Sequence, residues 1–372
     1  MAKLNAAESI RGLACLAVVF SHLSLSFYPY LHHFSPDDRA HGKWDYFIHH
    51  SPFAFWYSGT AAVFVFFVLS GFVLSYAILK NPNVPKKVLE MSLKRYPRLA
   101  IPAFGSCILA WATLNFTSFN SDLVNDWFQS YATQTVTFTQ AAYEGSIGAF
   151  LFADSSSNWV LWTMQIELFG SILLFVLLLL YHYQKALFFI GSILLPLLGF
   201  LINERFFLGL FSFVIGCYMY LYGRKIPTPM GWLMFLAGLY LAGAHNSSHA
   251  YHWIYNILKW RTYDYCNFFS GILIVYSILL CERLSLAFDR PVLIYLGKLS
   301  FSIYLLHMMM IYLVCLPIFN LLMGLHLSYD LSVLLAVTAS LIAIFISAAI
   351  YSRYVDDFSV KVSNRFAKLF IH

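Results

Sequence analysis

Four side chains capable of acid–base or anion chemistry lie within otherwise apolar runs: Arg11, His22, Glu167 and His307. Ionisable groups are expensive at bilayer depth, so each is a functional candidate by default. Arg11 and His22 are eleven residues apart in sequence. In a helix that separation is about 16 Å along the axis and almost three full turns, so both side chains leave nearly the same face. Glu167 follows Trp159 and Trp162. If its helix enters the membrane at these tryptophans, the carboxylate lies about 12 Å below the outer surface, near the depth of His22. A carboxylate and an imidazole at one depth could act as orienting partner and general base, as acyl-transfer chemistry requires. Plain structural readings stand beside these, with Arg11 snorkelling to an interface and His22 and Glu167 as hydrogen-bonded packing groups. The run Lys-Arg-Tyr-Pro-Arg at 94–98 places three cations in five residues. Arg95 and Arg98 could grip phosphate oxygens with paired hydrogen bonds. The same pattern also serves as a simple topogenic signal before a spanning helix.

The elements that must position these groups are membrane helices. The chain has 372 residues, 60% of them hydrophobic and only 11% charged, whereas a soluble domain carries about 25% charged residues. Aromatic residues reach 19%, which suits lipid contact and interfacial anchoring. Apolar stretches approaching the length of about 20 residues needed to cross a bilayer fall near 6–28, 55–79, 98–116, 159–181, 186–202, 206–222, 228–244, 266–282, 299–319 and 331–351. The expected fold is therefore all-α, a polytopic transmembrane bundle of about ten helices in a single domain spanning 1–372. With the N-terminus inside, only Arg39, Lys43, Arg205, Lys259 and Arg261 of the 23 Lys and Arg fall outside. That asymmetry predicts an even number of spans with both termini cytosolic. The net charge of +6 then belongs to cytosolic edges, and no nucleic-acid partner is expected. The six cysteines form no C-x-x-C pair and read as small packing residues. There is no cleavable leader pattern, and no internal repeat of the kind that builds many secondary transporters.

Taken together, these motifs resemble the acyltransferase-3 family of integral membrane O-acyltransferases, from Ile10 to about Phe358. The resemblance rests on the R-x10-H pair of RGLACLAVVFSH (Arg11, His22) and on FFVLSGFVLS with Ser70, Gly71 and Phe72. It also rests on the R-x-x-R of KRYPRL (Arg95, Arg98), on WTMQIE with Trp162 and Glu167, and on LGKLSFSIYLLH with Gly297, Ser300, Ser302, Tyr304 and His307. Two departures are visible. Thr163 and Met164 stand where the family's motif favours Ser and Leu, and Asp356 and Asp357 stand where a Tyr and a Glu-containing segment usually close the last helix. The resemblance implies an acyl-CoA donor, acetyl-CoA in the first instance, reached from the cytosol. It further implies a carbohydrate or glycolipid hydroxyl as acceptor on the far side, a setting among membrane lipids in the bacterial cytoplasmic membrane, and no metal. On this reading His22 is the general base or is itself transiently acylated, Glu167 orients it, and Arg11 helps hold the donor. Arg95 and Arg98 bind the CoA phosphates. Ser70, Ser302 and Tyr304 offer hydroxyls to a developing oxyanion, with His307 in support.

The alternative from another class is a transporter or flippase for a polar lipid or anion, using the same buried charges as a pathway. The histidines His32, His33, His41, His49 and His50, and the set His245, His249 and His252, are expected to be solvated loop residues, although the second set has spacings that could hold a metal. Residues 117–158 are expected to form a long outer loop.

Overall fold

The computed structural model describes residues 2–371, and every regular element among them is a helix. Ten apolar helices carry the architecture: α1 (Ala2–Phe27), α2 (Gly59–Leu79), α3 (Val84–Phe116), α4 (Thr163–Tyr183), α5 (Lys185–Leu197), α6 (Glu204–Tyr222), α7 (Thr228–Ala242), α8 (Thr262–Leu280), α9 (Pro291–Met310) and α10 (Tyr329–Tyr351). Eight of these, with their flanking turns, are long and apolar enough to cross a bilayer, while α5 and α7 are shorter. The chain is an integral membrane protein. Helix α9 runs through a π-helical turn (Ile311–Cys315) into Leu316–Gly324. Helix α10 continues likewise, through Ser352–Asp356, into Asp357–Lys368.

Helices α1 and α9 run parallel and in register. Cys15 donates to the Ser300 carbonyl at 3.1 Å and His22 meets His307 at 2.7 Å, the same offset of 285 residues in both cases. The close approach requires glycine. A Cβ on Gly297 would lie 2.0 Å from the Glu8 carbonyl oxygen, and one on Gly12 would lie 2.7 Å from the Gly297 nitrogen. Gly71 has the same role where α2 crosses α6, its ideal Cβ falling 2.2 Å from the Phe213 carbonyl oxygen. Tyr28 donates to Asp330 at 2.6 Å and Tyr329 to the Phe27 carbonyl at 2.6 Å. Helix α10 therefore starts where α1 finishes and returns the chain to the end where it began. We call that the terminal end and the opposite one the loop end.

Two segments differ from the sequence expectation. The basic run 94–98 does not lie in a loop ahead of a span; it is inside α3, which starts ten residues earlier at Val84 and accommodates Pro97 and Pro102. Nor do residues 117–158 stay outside the bundle. Asn115 donates to the Val136 carbonyl at 2.9 Å, Trp111 packs edge-on to Phe138, and Gly145 abuts the Phe104 backbone. The chain thus descends alongside α3 by about 16 Å before turning at Leu151, whose carbonyl accepts from Gln165 at 2.6 Å. It climbs back through Ser157 and Asn158, and buried Glu144 ties the two limbs together by accepting from the Ser157 backbone (2.7 Å) and hydroxyl. Asn158 donates to Ser106 and to the Leu305 carbonyl, both at 3.0 Å. Polar backbone inside a membrane is tolerated when it is buried in protein in this way. Trp159 consequently begins its helix deep in the bundle, and everything after it on α4 is shifted toward the terminal end.

A candidate acyl-transfer site

The R-x10-H histidine finds its partner on α9. His22 Nδ1 and His307 Nε2 are 2.7 Å apart, and His307 Nδ1 lies 3.1 Å from the Ile303 carbonyl. A carbonyl can only accept, so His307 carries its proton on Nδ1 and leaves Nε2 bare. Nε2 must then accept from His22 Nδ1–H, which places the His22 lone pair on Nε2. Two hydrogen bonds therefore fix the tautomer of His22 with its basic nitrogen uncommitted. His307 is fully buried, whereas His22 is half-buried. Trp127 packs on the His22 ring at 5.3 Å between centroids and 29° between planes. An indole face beside an imidazole favours its cationic form. Sequence reasoning missed Trp127, which sits in the long inter-helix segment and carries no periodic signal. His307 was noted only as a supporting residue, although its place one α1–α9 offset from His22 pairs them.

His22 lines a cavity of about 1010 Å³ that opens at the loop end. Its walls combine Trp127, Trp159, Trp162 and Trp260 with polar groups such as Asp154 and an Arg205–Asp264 ion pair at 2.8 Å. Val18, Val63, Val160 and Tyr304 also line it. Tyr304 donates its proton to the Val160 carbonyl at 2.7 Å, with the Thr163 hydroxyl 2.9 Å away. Of the three hydroxyls considered for an oxyanion, Tyr304 alone shares the cavity with His22, and its proton is committed. Ser70 bonds elsewhere, and Ser302 is buried away from the cavity lining.

Glu167 is not the partner of His22. Its carboxylate pairs with Arg95 and accepts from Ser70 at 2.8 Å, while Arg95 Nε donates to Ser171 at 2.7 Å. The reason is depth. Ser21, beside His22, packs on Gly59 at the start of α2, and Ser70 lies eleven residues further along α2, about 16 Å toward the terminal end. Glu167 shares the level of Ser70, and so does Arg11, which is displaced by a similar distance along antiparallel α1. The expectation that Glu167 and His22 lie at one depth assumed that α4 begins at the membrane surface; the re-entrant segment places its start inside. Arg11 pairs with Glu8 at 2.7 Å and, with Arg98, lies within electrostatic reach of Arg95. Arg11, Arg95 and Arg98 therefore form one cationic group, from which only Arg98 is exposed. Arg95 also lines a separate groove of about 310 Å³ with Tyr96, Phe150 and Ile172. The structure brings together His22 with His307 and Arg95 with Glu167 and Ser70. His22 and Arg95 line different cavities.

The loop histidines are not uniformly solvated. His32, His49 and His245 are at most 1% exposed, covered by the aromatic turns Pro29–Leu31 and Pro52–Tyr57 and by the segment after Ala242. All six cysteines are buried and unpaired, as packing residues should be.

No curated protein and no solved structure matches the chain. The family model described as an acyltransferase domain matches residues 4–353, a stretch that contains all five motifs on which the resemblance rests. The chain belongs to the acyltransferase-3 family, and is a membrane acyltransferase.

Proposed function

We propose that this protein transfers an acyl group, acetyl in the first instance, from acyl-CoA to a hydroxyl of a carbohydrate or glycolipid presented at the loop end, read from the charge asymmetry as the extracytoplasmic side. The observation that carries the reading is the bare Nε2 of His22 at the wall of a large cavity, its tautomer set by His307. In the proposed reaction Nε2 removes the proton of the acceptor hydroxyl, whose oxygen attacks the thioester carbonyl. The C–S bond then breaks, and the imidazolium returns the proton to the departing thiolate. His307 accepts a stronger, charge-assisted hydrogen bond while the imidazolium exists, and Trp127 covers its face. A tryptophan-rich wall with a few polar groups suits a hydroxylated ring, which presents apolar faces and polar edges.

The donor is read as entering from the terminal end, where Arg11, Arg95 and Arg98 supply positive charge for the CoA phosphates. Because Arg95 is tied to Glu167, Arg98 makes the first contact, and the thioester must pass the floor formed by Val18, Val63, Val160 and Tyr304. Donor binding is thus coupled to opening of that floor. A charge-lined transport path is the weaker reading, since the deep charges Arg95 and Glu167 neutralise each other away from the cavity. Mass spectrometry of envelope glycans and lipids from cells with the protein, without it, and with His22→Ala tests the proposal. One added acyl mass that depends on His22 is expected. Identical spectra from all three would refute it.

A further inference from the structure

The rim of the same cavity stands at two heights. One side follows α1 toward Phe27 and continues through His33 and Phe34. The other side is carried by Trp162, Arg205 and Asp264, and helix register sets how low it lies. Ser21, six residues short of Phe27, packs on Gly59, about 9 Å below the end of α1. Gly209 meets Phe67 and Phe213 meets Gly71, a constant offset that makes α6 parallel to α2. Helix α6 begins at Glu204, nine residues before Phe213, while Gly59 lies twelve residues before Gly71. It therefore starts about 5 Å below Gly59 and about 14 Å below Phe27. The flanks of this low side are apolar and exposed. The turn leading into α6 is Leu-Gly-Phe-Leu-Ile at 198–202, with Leu201 84% exposed and Leu198, Phe200 and Ile202 exposed as well. Phe152, beside the turn at Leu151, is 61% exposed, while Ala153, the next residue, already lines the cavity. Apolar surface of this extent on a membrane protein faces hydrocarbon. Trp162 and Trp260 also line the cavity, and tryptophan favours the boundary between hydrocarbon and water. On this side the bilayer surface meets the cavity at its rim, with polar groups inside and a lipid-facing side chain one residue away.

We infer that the acceptor is lipid-anchored: a glycolipid of the loop-end leaflet, whose hydroxylated headgroup enters the cavity sideways over the low rim while its chains stay in the bilayer. The inference deepens the acyl-transfer reading and rests on it. Height supports the match. His22 stands about 6 Å above the start of α6, so a headgroup drawn in over Arg205 meets the imidazole roughly one sugar ring above the level of the chains. The chains lie against Phe152 and the 198–202 turn, and no apolar tail has to be lifted into water. A free polysaccharide gains nothing from an apolar approach of this kind. Arg205 is placed to take the polar junction between headgroup and chains. Its guanidinium lies over the Trp162 ring at 5.7 Å. Its Nε and Nη2 both donate to Asp264 Oδ1, at 3.2 and 2.8 Å, which leaves Nη1 for the ligand.

The test compares one glycan with and without its lipid. The full chain in lipid vesicles receives radiolabelled acetyl-CoA and an envelope extract divided into two portions, intact glycolipid and the same glycan released from its lipid by mild acid. At equal sugar concentration the intact portion should be labelled at least about tenfold faster, because anchoring confines headgroup and cavity to one surface. A second measurement needs no turnover. All six native cysteines are buried, so Leu201→Cys takes a single fluorophore, which lipids brominated along their chains should quench. A fluorophore at Asp37→Cys, on an exposed residue beyond the high rim, should stay bright. Released glycan labelled as fast as intact glycolipid, or a fluorophore at position 201 that brominated chains leave bright, overturns sideways delivery and leaves the transfer reading standing. Label in neither portion refutes the transfer reading, and this inference falls with it.

Discussion

Replacing His307 with Ala removes the acceptor of the 2.7 Å bond from His22 Nδ1 and leaves a donor unpaired toward the space the buried ring vacated. In the resting enzyme that loss is shared with the ground state, and it appears mainly as lower stability, about 1–3 kcal/mol. In the transition state His22 carries a positive charge, and the missing bond is a charge-assisted one worth about 1.5–3 kcal/mol. Only its excess over the neutral bond already lost from the ground state, about 1–1.5 kcal/mol, slows the step, so the rate of acyl transfer should fall by about 5- to 13-fold, with little change in KM for either substrate. A Gln at 307 can place its carbonyl oxygen near the position of Nε2 and accept the same proton, so His307→Gln should recover much of the loss. The assay is release of CoA thiol from acetyl-CoA by protein reconstituted in vesicles with an envelope-glycan extract as acceptor. The double variant His22→Ala, His307→Ala should be no slower than His22→Ala alone, because His307 acts only through His22. Wild-type turnover in His307→Ala, or a Gln variant as impaired as the Ala variant, would refute the tautomer argument.

Breaking one side of the deep ion pair should be worse than removing both. Glu167→Gln leaves the Arg95 guanidinium without its counter-charge and should destabilise the protein by about 3–5 kcal/mol, whereas Glu167→Gln combined with Arg95→Met should recover most of it; thermal unfolding in detergent reads both, and equal melting temperatures would show that the pair holds nothing together. Burial at the loop end, with His245 adding to it, depresses the basicity of His49 to a pKa of about 3. The unfolded chain takes up that proton near the ordinary value of 6.5, so the stability from neutral His49 is complete above 6.5 and is lost progressively from there toward 3. The melting temperature should fall across that window, and less steeply in His49→Asn; an identical pH profile in the two proteins would contradict the assignment.

Much of this was legible in the sequence because lipid imposes a simple grammar. Apolar runs and the distribution of Lys and Arg gave the helices, and the R-x10-H spacing put Arg11 and His22 on one helix face. The level of Glu167 was not legible. It depended on where α4 begins, and that depended on Val136 to Asn158 folding back into the bundle, which contacts with α3 decide and local composition does not. For the same reason Arg95 read as a loop cation: nothing in KRYPRL says that α3 starts ten residues earlier or that Ser171 and Glu167 wait on a neighbouring helix. His307 was visible as a buried ionisable group, but its pairing with His22 required the parallel register of α1 and α9, which Gly12 and Gly297 set through space. The histidines of the loops escaped because burial by aromatic turns has no periodic signature.

The descending segment bears on how the protein is made. Residues 136–158 carry Glu144 and Asp154 and too many polar backbone groups to partition into lipid unaided. They gain shelter from α3, from α4 and, at Asn158, from α9, and the last two are synthesised after them. During biogenesis this stretch therefore finds its full set of partners only after α4 and α9 have been inserted. Because the descent also fixes the height of Trp159 and the approach of Trp127 to His22, the acceptor cavity is completed only in that late step, and a chain whose helices are all inserted can still be enzymatically immature.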